Sequence, residues 1–86
     1  MKKKILLLGS TGSIGRSSLN IIRNYKSKIE IVALSANKNI KLIIKQSKEF
    51  KVKNLIINDF ESYKKILNSG LNKKIKIFNN ISDFLK

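Results

Sequence analysis

Eighty-six residues give room for one small domain with a marginal core, and the lack of cysteine and histidine removes disulfides and the commonest zinc ligands. The 19 Lys and Arg against 5 Asp and Glu leave a net charge of +14, enough for non-specific attraction to polyanions. The lysines form no long run and no stacking aromatics lie between them, so a specific nucleic-acid partner is not expected.

Met1-Lys2-Lys3-Lys4 ahead of Ile5-Leu6-Leu7-Leu8 has the outline of a signal peptide, but the apolar stretch is shorter than the roughly 7–15 residues of such a segment. Nothing approaches the roughly 20 apolar residues of a membrane span, so a soluble, cytoplasmic protein with no membrane partner is expected. Residues 4–8 read as a first strand. Residues 13–24 read as a first helix with Ile14, Ser18, Ile21, Ile22 and Tyr25 facing inward. Residues 29–34 make a second strand, after which Asn39 caps a helix with Ile40, Ile43, Ile44 and Ser47 inward.

A third strand spans 54–57. Asp59 then caps a helix with Phe60, Tyr63, Ile66 and Leu67 inward and Gly70 just past its end. Residues 74–78 form a fourth strand, and Ile81, Phe84 and Leu85 look like the first turn of a further helix. Phe50, Phe60, Tyr63, Phe78 and Phe84 are expected in the core.

This alternation reads as an α/β fold, a Rossmann-like parallel sheet flanked by helices, with residues 1–86 as one dinucleotide-binding domain. The first strand is apolar on both faces, as a central strand should be, whereas Lys74-Ile75-Lys76-Ile77 alternates like an edge. If the fourth strand is an outer edge, the first keeps an unpaired side, and the domain is expected to be incomplete. If the fourth strand instead pairs with the first, only the cut-off last helix points that way.

Gly9-Ser10-Thr11-Gly12-Ser13-Ile14-Gly15 lies between the first strand and the first helix. Glycines there let the backbone turn sharply and approach a pyrophosphate, whose charge meets free N–H groups at the helix start. The spacing G-x-x-G-x-x-G is a variant of the standard fingerprint, and its placement after a strand is what gives it weight. Binding by Thr11, Gly12, Ser13 and Ile14 would come chiefly from their backbone.

Beyond the second strand, an acid would select a ribose 2′-OH and a cation a 2′-phosphate. The segment Ala33-Leu34-Ser35-Ala36-Asn37-Lys38-Asn39 has no acid but offers Ser35, Lys38 and Asn39, which favours NADP over NAD. Lys38 is alternatively one more solvated lysine and Asn39 merely a helix cap. Arg16 is either a phosphate contact or a surface arginine, and the sequence does not choose.

Leu7 to Gly15, a following helix containing Leu19 and Arg23, and Val32 to Asn39 together resemble the start of 1-deoxy-D-xylulose 5-phosphate reductoisomerases. The resemblance implies a share in converting 1-deoxy-D-xylulose 5-phosphate to 2-C-methyl-D-erythritol 4-phosphate, in non-mevalonate isoprenoid synthesis. It implies NADPH contacts at Thr11, Gly12, Ser13, Ile14, Asn37, Lys38 and Asn39, with Asn37 standing where the family commonly has glycine.

It further implies a divalent metal (Mg or Mn), a small phosphorylated sugar substrate and a homodimer for the full-length enzyme. Glu30, Glu49, Asp59, Glu61 and Asp83 are scattered and form no recognisable metal cluster. The resemblance implies that the family's metal ligands, substrate-phosphate site and active-site loop lie further along a longer chain, so no metal ligand or catalytic residue is expected in this segment, which alone would be inactive. Two other readings remain, a fragment of a different NAD(P)-dependent reductase or epimerase and a small basic nucleic-acid-binding module. Neither Tyr25 nor Tyr63 has the lysine four residues later that the epimerase pair needs. A Walker-type NTPase is excluded because no Gly-Lys-Ser/Thr closes the loop.

Overall fold

Short apolar runs form strands and the periodic segments between them form helices in the computed structural model, which describes residues 2–70 and 74–86. In chain order these are β1 (Lys3–Leu7), α1 (Ser13–Ile22) with a 3-10 turn (Arg23–Tyr25), β2 (Ile29–Ala36), α2 (Ile40–Phe50), β3 (Asn54–Ile57), α3 (Phe60–Leu67), β4 (Lys76–Phe78) and α4 (Ile81–Leu85). Met1, the first residue of the lysine lead-in, lies outside the described residues.

The strands make one parallel sheet in the order β1-β2-β3-β4. β4 is an outer edge, as its alternating lysines suggested, and among the described residues β1 pairs only with β2. β2 runs on to Ala36, past its expected end at Leu34, because Ser35 and Ala36 find partners in Ile56 and Ile57 of β3.

Successive parallel strands stepping in one direction put their connecting helices on one face. Leu19 and Ile22 of α1, Ile43 of α2 and Ile66 of α3 accordingly share one core with Ile31, Leu34, Leu55 and Ile57. One irregularity sets which strand residues reach it. Ile5 pairs with Ile31 but Leu6 with Ala33, so Val32 is an extra residue in β2 and the inward set shifts from Ile31 to Leu34 and Ala36. Val32 keeps a partner for its carbonyl oxygen, which accepts from Asn54 Nδ2 at 2.8 Å. On the opposite face α4 closes over the sheet: Ile81 lines a cavity with Leu8, Ser35 and Ile56, and Phe84 packs edge-on to Phe78 at 5.4 Å.

α1 presents a different face from the one its isoleucines suggest. Gly15, Leu19 and Ile22 are buried, while Ile14 is 83% and Ile21 64% exposed, and Tyr25 is also exposed. The cause is Gly15. A Cβ there would strike the Gly9 carbonyl oxygen and lie 2.7 Å from Ser10 Cα, so a glycine must face the turn and the helix rotates to put it there. Residues 15, 19 and 22 then follow at i, i+4 and i+7.

Phe60 is likewise 56% exposed. Asp59 Oδ2 accepts from the Ser62 backbone at 3.0 Å and fixes where α3 begins, which turns Ser62 and Ile66 inward. The Phe60 ring packs on Tyr63 under Lys64 Nζ.

A polar strap joins α1 to α2. The Arg23 guanidinium grips Glu49 with two nitrogens, Nη2 to Oε1 at 2.9 Å and Nε to Oε2, and also donates to Asn20 Oδ1 at 2.6 Å. Arg23 and Lys26 both lie over the Phe50 ring. The Arg23 hydrogen bond holds the Glu49 carboxyl below its usual range.

A group whose folded pKa is depressed stabilises the fold above its ordinary pKa and ceases to as pH falls through the folded one. Between about pH 6 and about pH 3 the thermal midpoint should therefore drop more in the native chain than in Glu49→Gln, as calorimetry would record. Gly15→Ala should lower stability by about 3 kcal/mol or more, because backbone rather than a movable side chain opposes the added methyl. Urea unfolding would measure it.

Candidate functional site

The turn between β1 and α1 is built from backbone geometry that sequence dictates and held by side chains from two other elements. Gly9 sits at φ +69°, a left-handed conformation that glycine adopts without strain. Its N–H donates to Ser35 Oγ at 2.8 Å, and the next N–H, of Ser10, donates to the Ser35 carbonyl at 2.8 Å.

Ser10 is fully buried and locked to α2 from both sides. Its hydroxyl donates to Gln46 Oε1 at 2.7 Å, and Gln46 Nε2 donates back to the Ser10 carbonyl at 2.9 Å. Gly12 N–H then closes on Gly9 O at 3.1 Å, and Gly12 O receives the Arg16 N–H at 2.9 Å to start the helix.

Gly12 is the N-cap of α1 and supplies no side-chain acceptor, and no acid lies in the first turn. α2, α3 and α4 are each capped by a side chain, of Asn39, Asp59 and Asn80 respectively. The α1 amides of Ser13 and Ile14 are thus left for another acceptor, beside a half-buried Thr11 and exposed Gly12, Ser13 and Ile14. A helix start with unsatisfied N–H groups and its positive dipole end is suited to an anion.

The second half of the predicted site lies at the carboxyl end of β2. Asn37, Lys38 and Asn39 are all exposed. Asn39 Oδ1 accepts the Leu42 N–H at 3.2 Å, so its carbonyl is engaged in capping α2 and only its amide nitrogen is left to face outward. Asn37 O receives the Asp59 N–H at 3.2 Å. The Asp59 carboxyl is held below its usual range, first by its bonds from the Ser62 hydroxyl and backbone and more weakly by the charge of Lys38.

Of the predicted NADPH contacts only Asn37 lines, with Gly9 of the turn, a cavity of about 310 Å³ shared with Leu8, Ser35, Ala36, Ile56, Asn58 and Ile81; Thr11, Gly12, Ser13, Ile14, Lys38 and Asn39 are not among its lining. It opens at the carboxyl ends of the strands, where open α/β sheets take their ligands. Ser13 instead borders a separate cleft between α1 and α2.

Ser35, read from the sequence as one of the donors after β2, is buried and its hydroxyl oxygen accepts the Gly9 N–H, so it holds the turn; Gln46 escaped the sequence reading. Gln46 carried one legible signal, a polar side chain between Ile43 and Ser47 on the inward face of α2. Among the described residues no group of three His, Cys, Asp or Glu could hold a metal ion. No described helix is long and apolar enough to cross a membrane. Gln46→Leu would strand the Ser10 hydroxyl and carbonyl in the interior, and chemical denaturation should report a loss of about 1–3 kcal/mol.

The profile of the 1-deoxy-D-xylulose 5-phosphate reductoisomerase family matches residues 5–83. The reductoisomerase of Pelagibacter ubique is 45% identical over 84 residues, covering 98% of this chain and 22% of that protein. That of Caldanaerobacter subterraneus is 43% identical over 75 residues, covering 87% and 19%. The chain thus spans about a fifth of the length of these curated relatives.

Among solved structures, the Zymomonas mobilis reductoisomerase in complex with NADPH superposes with a TM-score of 0.82 at 27% identity, over 91% of this chain and 21% of that one. A reductoisomerase in complex with NADPH, fosmidomycin and magnesium gives 0.75 at 26% identity, over 96% and 21%.

Proposed function

The chain belongs to the 1-deoxy-D-xylulose 5-phosphate reductoisomerase family, and we propose that residues 1–86 are the part that grips NADPH. The observation that carries this is the glycine-capped start of α1, whose first-turn amides have no side-chain acceptor and whose approach is fixed by the Ser35 and Gln46 bonds.

In this reading the N–H groups of Thr11, Ser13 and Ile14 receive the pyrophosphate, while Gly12, whose own N–H closes on Gly9 O, contributes by leaving room for its approach. Side-chain bulk at Gly12 would crowd that approach. The exposed ammonium of Lys38 and the amide nitrogen of Asn39 meet the 2′-phosphate, while Asn37, at the cavity rim, borders the adenosine. No acid stands in residues 37–39 to accept a ribose 2′-OH, and the Asp59 carboxylate that feels the charge of Lys38 is already engaged by Ser62.

NADPH bound here would supply the hydride. In the whole enzyme that hydride reduces the rearranged product of 1-deoxy-D-xylulose 5-phosphate to 2-C-methyl-D-erythritol 4-phosphate, in non-mevalonate isoprenoid synthesis. The sugar phosphate, a divalent metal, a homodimer and a cytoplasmic setting belong to the same proposal. Magnesium is bound in a relative's structure, and the described residues here offer no cluster for it, so its ligands would not come from this segment. A basic nucleic-acid module is not favoured, since the family match accounts for nearly the whole chain.

Calorimetric titration should find NADPH bound more tightly than NADH, with Lys38→Ala reducing that preference about tenfold through loss of one charge-assisted contact. Equal affinity of the native chain for the two nucleotides would defeat the specificity assignment.

A further inference from the structure

The cleft between α1 and α2, about 450 Å³, is lined on one side by Ser13, Arg16, Ser17 and Arg23 and on the other by Lys45 and Glu49. Its single carboxylate is already gripped by two nitrogens of Arg23. Arg16 and Lys45 form no ion pair and no side-chain hydrogen bond among the described residues. A guanidinium fork, an ammonium and two hydroxyls therefore face one space whose single carboxylate, Glu49, is bonded to Arg23 and feels Lys45 only through its charge, leaving the cations in excess. That donor set suits a phosphate dianion, which a guanidinium can bind with two parallel N–H groups.

The cleft also stands in the right place. Its lining includes Ser13, the first residue of α1, and Leu42, whose N–H is capped by Asn39. One end of the cleft thus lies beside the amides assigned to the pyrophosphate and beside the helix that follows the loop assigned to the 2′-phosphate. The adenosine ribose, whose 2′-oxygen carries that phosphate, adjoins the pyrophosphate in the nucleotide.

We infer that Arg16, supported by Lys45 across the cleft, binds the 2′-phosphate of the dinucleotide, so that α1 as well as the loop after β2 sets the preference for NADPH. This rests on the NADPH reading above. The long side chain of Arg16 points toward α2 because Gly15 fixes the rotation of α1, which puts residues 13, 16, 17, 20 and 23 on that side.

The test is calorimetric titration of the chain with adenosine 2′,5′-bisphosphate and with adenosine 5′-monophosphate, and the quantity read is the ratio of their affinities. Arg16→Gln should cut the ratio about tenfold while leaving the monophosphate affinity and the thermal midpoint in place. Arg16→Lys should restore part of the loss, and Lys45→Gln should lower the ratio by a smaller factor. Lys48→Gln, outside the cleft, should leave it unchanged.

An Arg16→Gln ratio equal to the native one, with Lys38→Ala still lowering it, would overturn this inference and leave the NADPH reading standing. A native chain that binds neither NADPH nor the bisphosphate would remove both.

Discussion

The contact on which the rest of this structure depends is the approach of Gly15 to the Gly9 carbonyl. No side chain fits between them, so α1 must sit tight against the turn that precedes it. That single constraint fixes the rotation of the helix. Leu19 and Ile22 enter the core, Arg16 and Arg23 face α2, and Ile14 and Ile21 are left outside. The same approach presents the first-turn amides at the carboxyl end of the sheet, where a pyrophosphate can meet them.

A turn that open would be mobile without support, and polar groups from β2 and α2 supply it. Ser35 receives the Gly9 N–H, and Gln46 both accepts from and donates to Ser10. Buried polar groups of this kind are costly when unpaired and specific when paired. Here every described buried side-chain nitrogen and oxygen has a partner. The binding surface is therefore backbone held in place from behind, which leaves its front free of side-chain competitors.

Charge is arranged by the same economy. With 5 acids against 19 cations, three carboxylates fix structure: Glu49 straps α1 to α2, Asp59 caps α3, and the Asp83 carboxylate accepts from the side-chain amide of Asn80, the cap of α4. None stands in residues 37–39, directly after β2. Every described lysine is exposed, and in the proposed reading those beside the turn and the α1–α2 cleft attract phosphate.

The sequence by itself determined the elements and the turn. Caps and period-2 or period-3.6 patterns act over a few residues, so β3 at Asn54–Ile57 and the caps at Asn39 and Asp59 were legible where they stand. The glycine spacing after β1 was legible for the same reason, and with it the class of ligand proposed for this turn. The rotation of α1, the exposure of Phe60, the extension of β2 to Ala36 and the roles of Ser35 and Gln46 were not. Each depends on groups remote along the chain or on packing that periodicity does not encode. Ser10 and Gln46 are 36 residues apart and Gly9 and Ser35 are 26 apart. Isoleucines at 14 and 21 carry the same helical period as the true inward set, and only the lack of space beside Gly15 decides between the two faces.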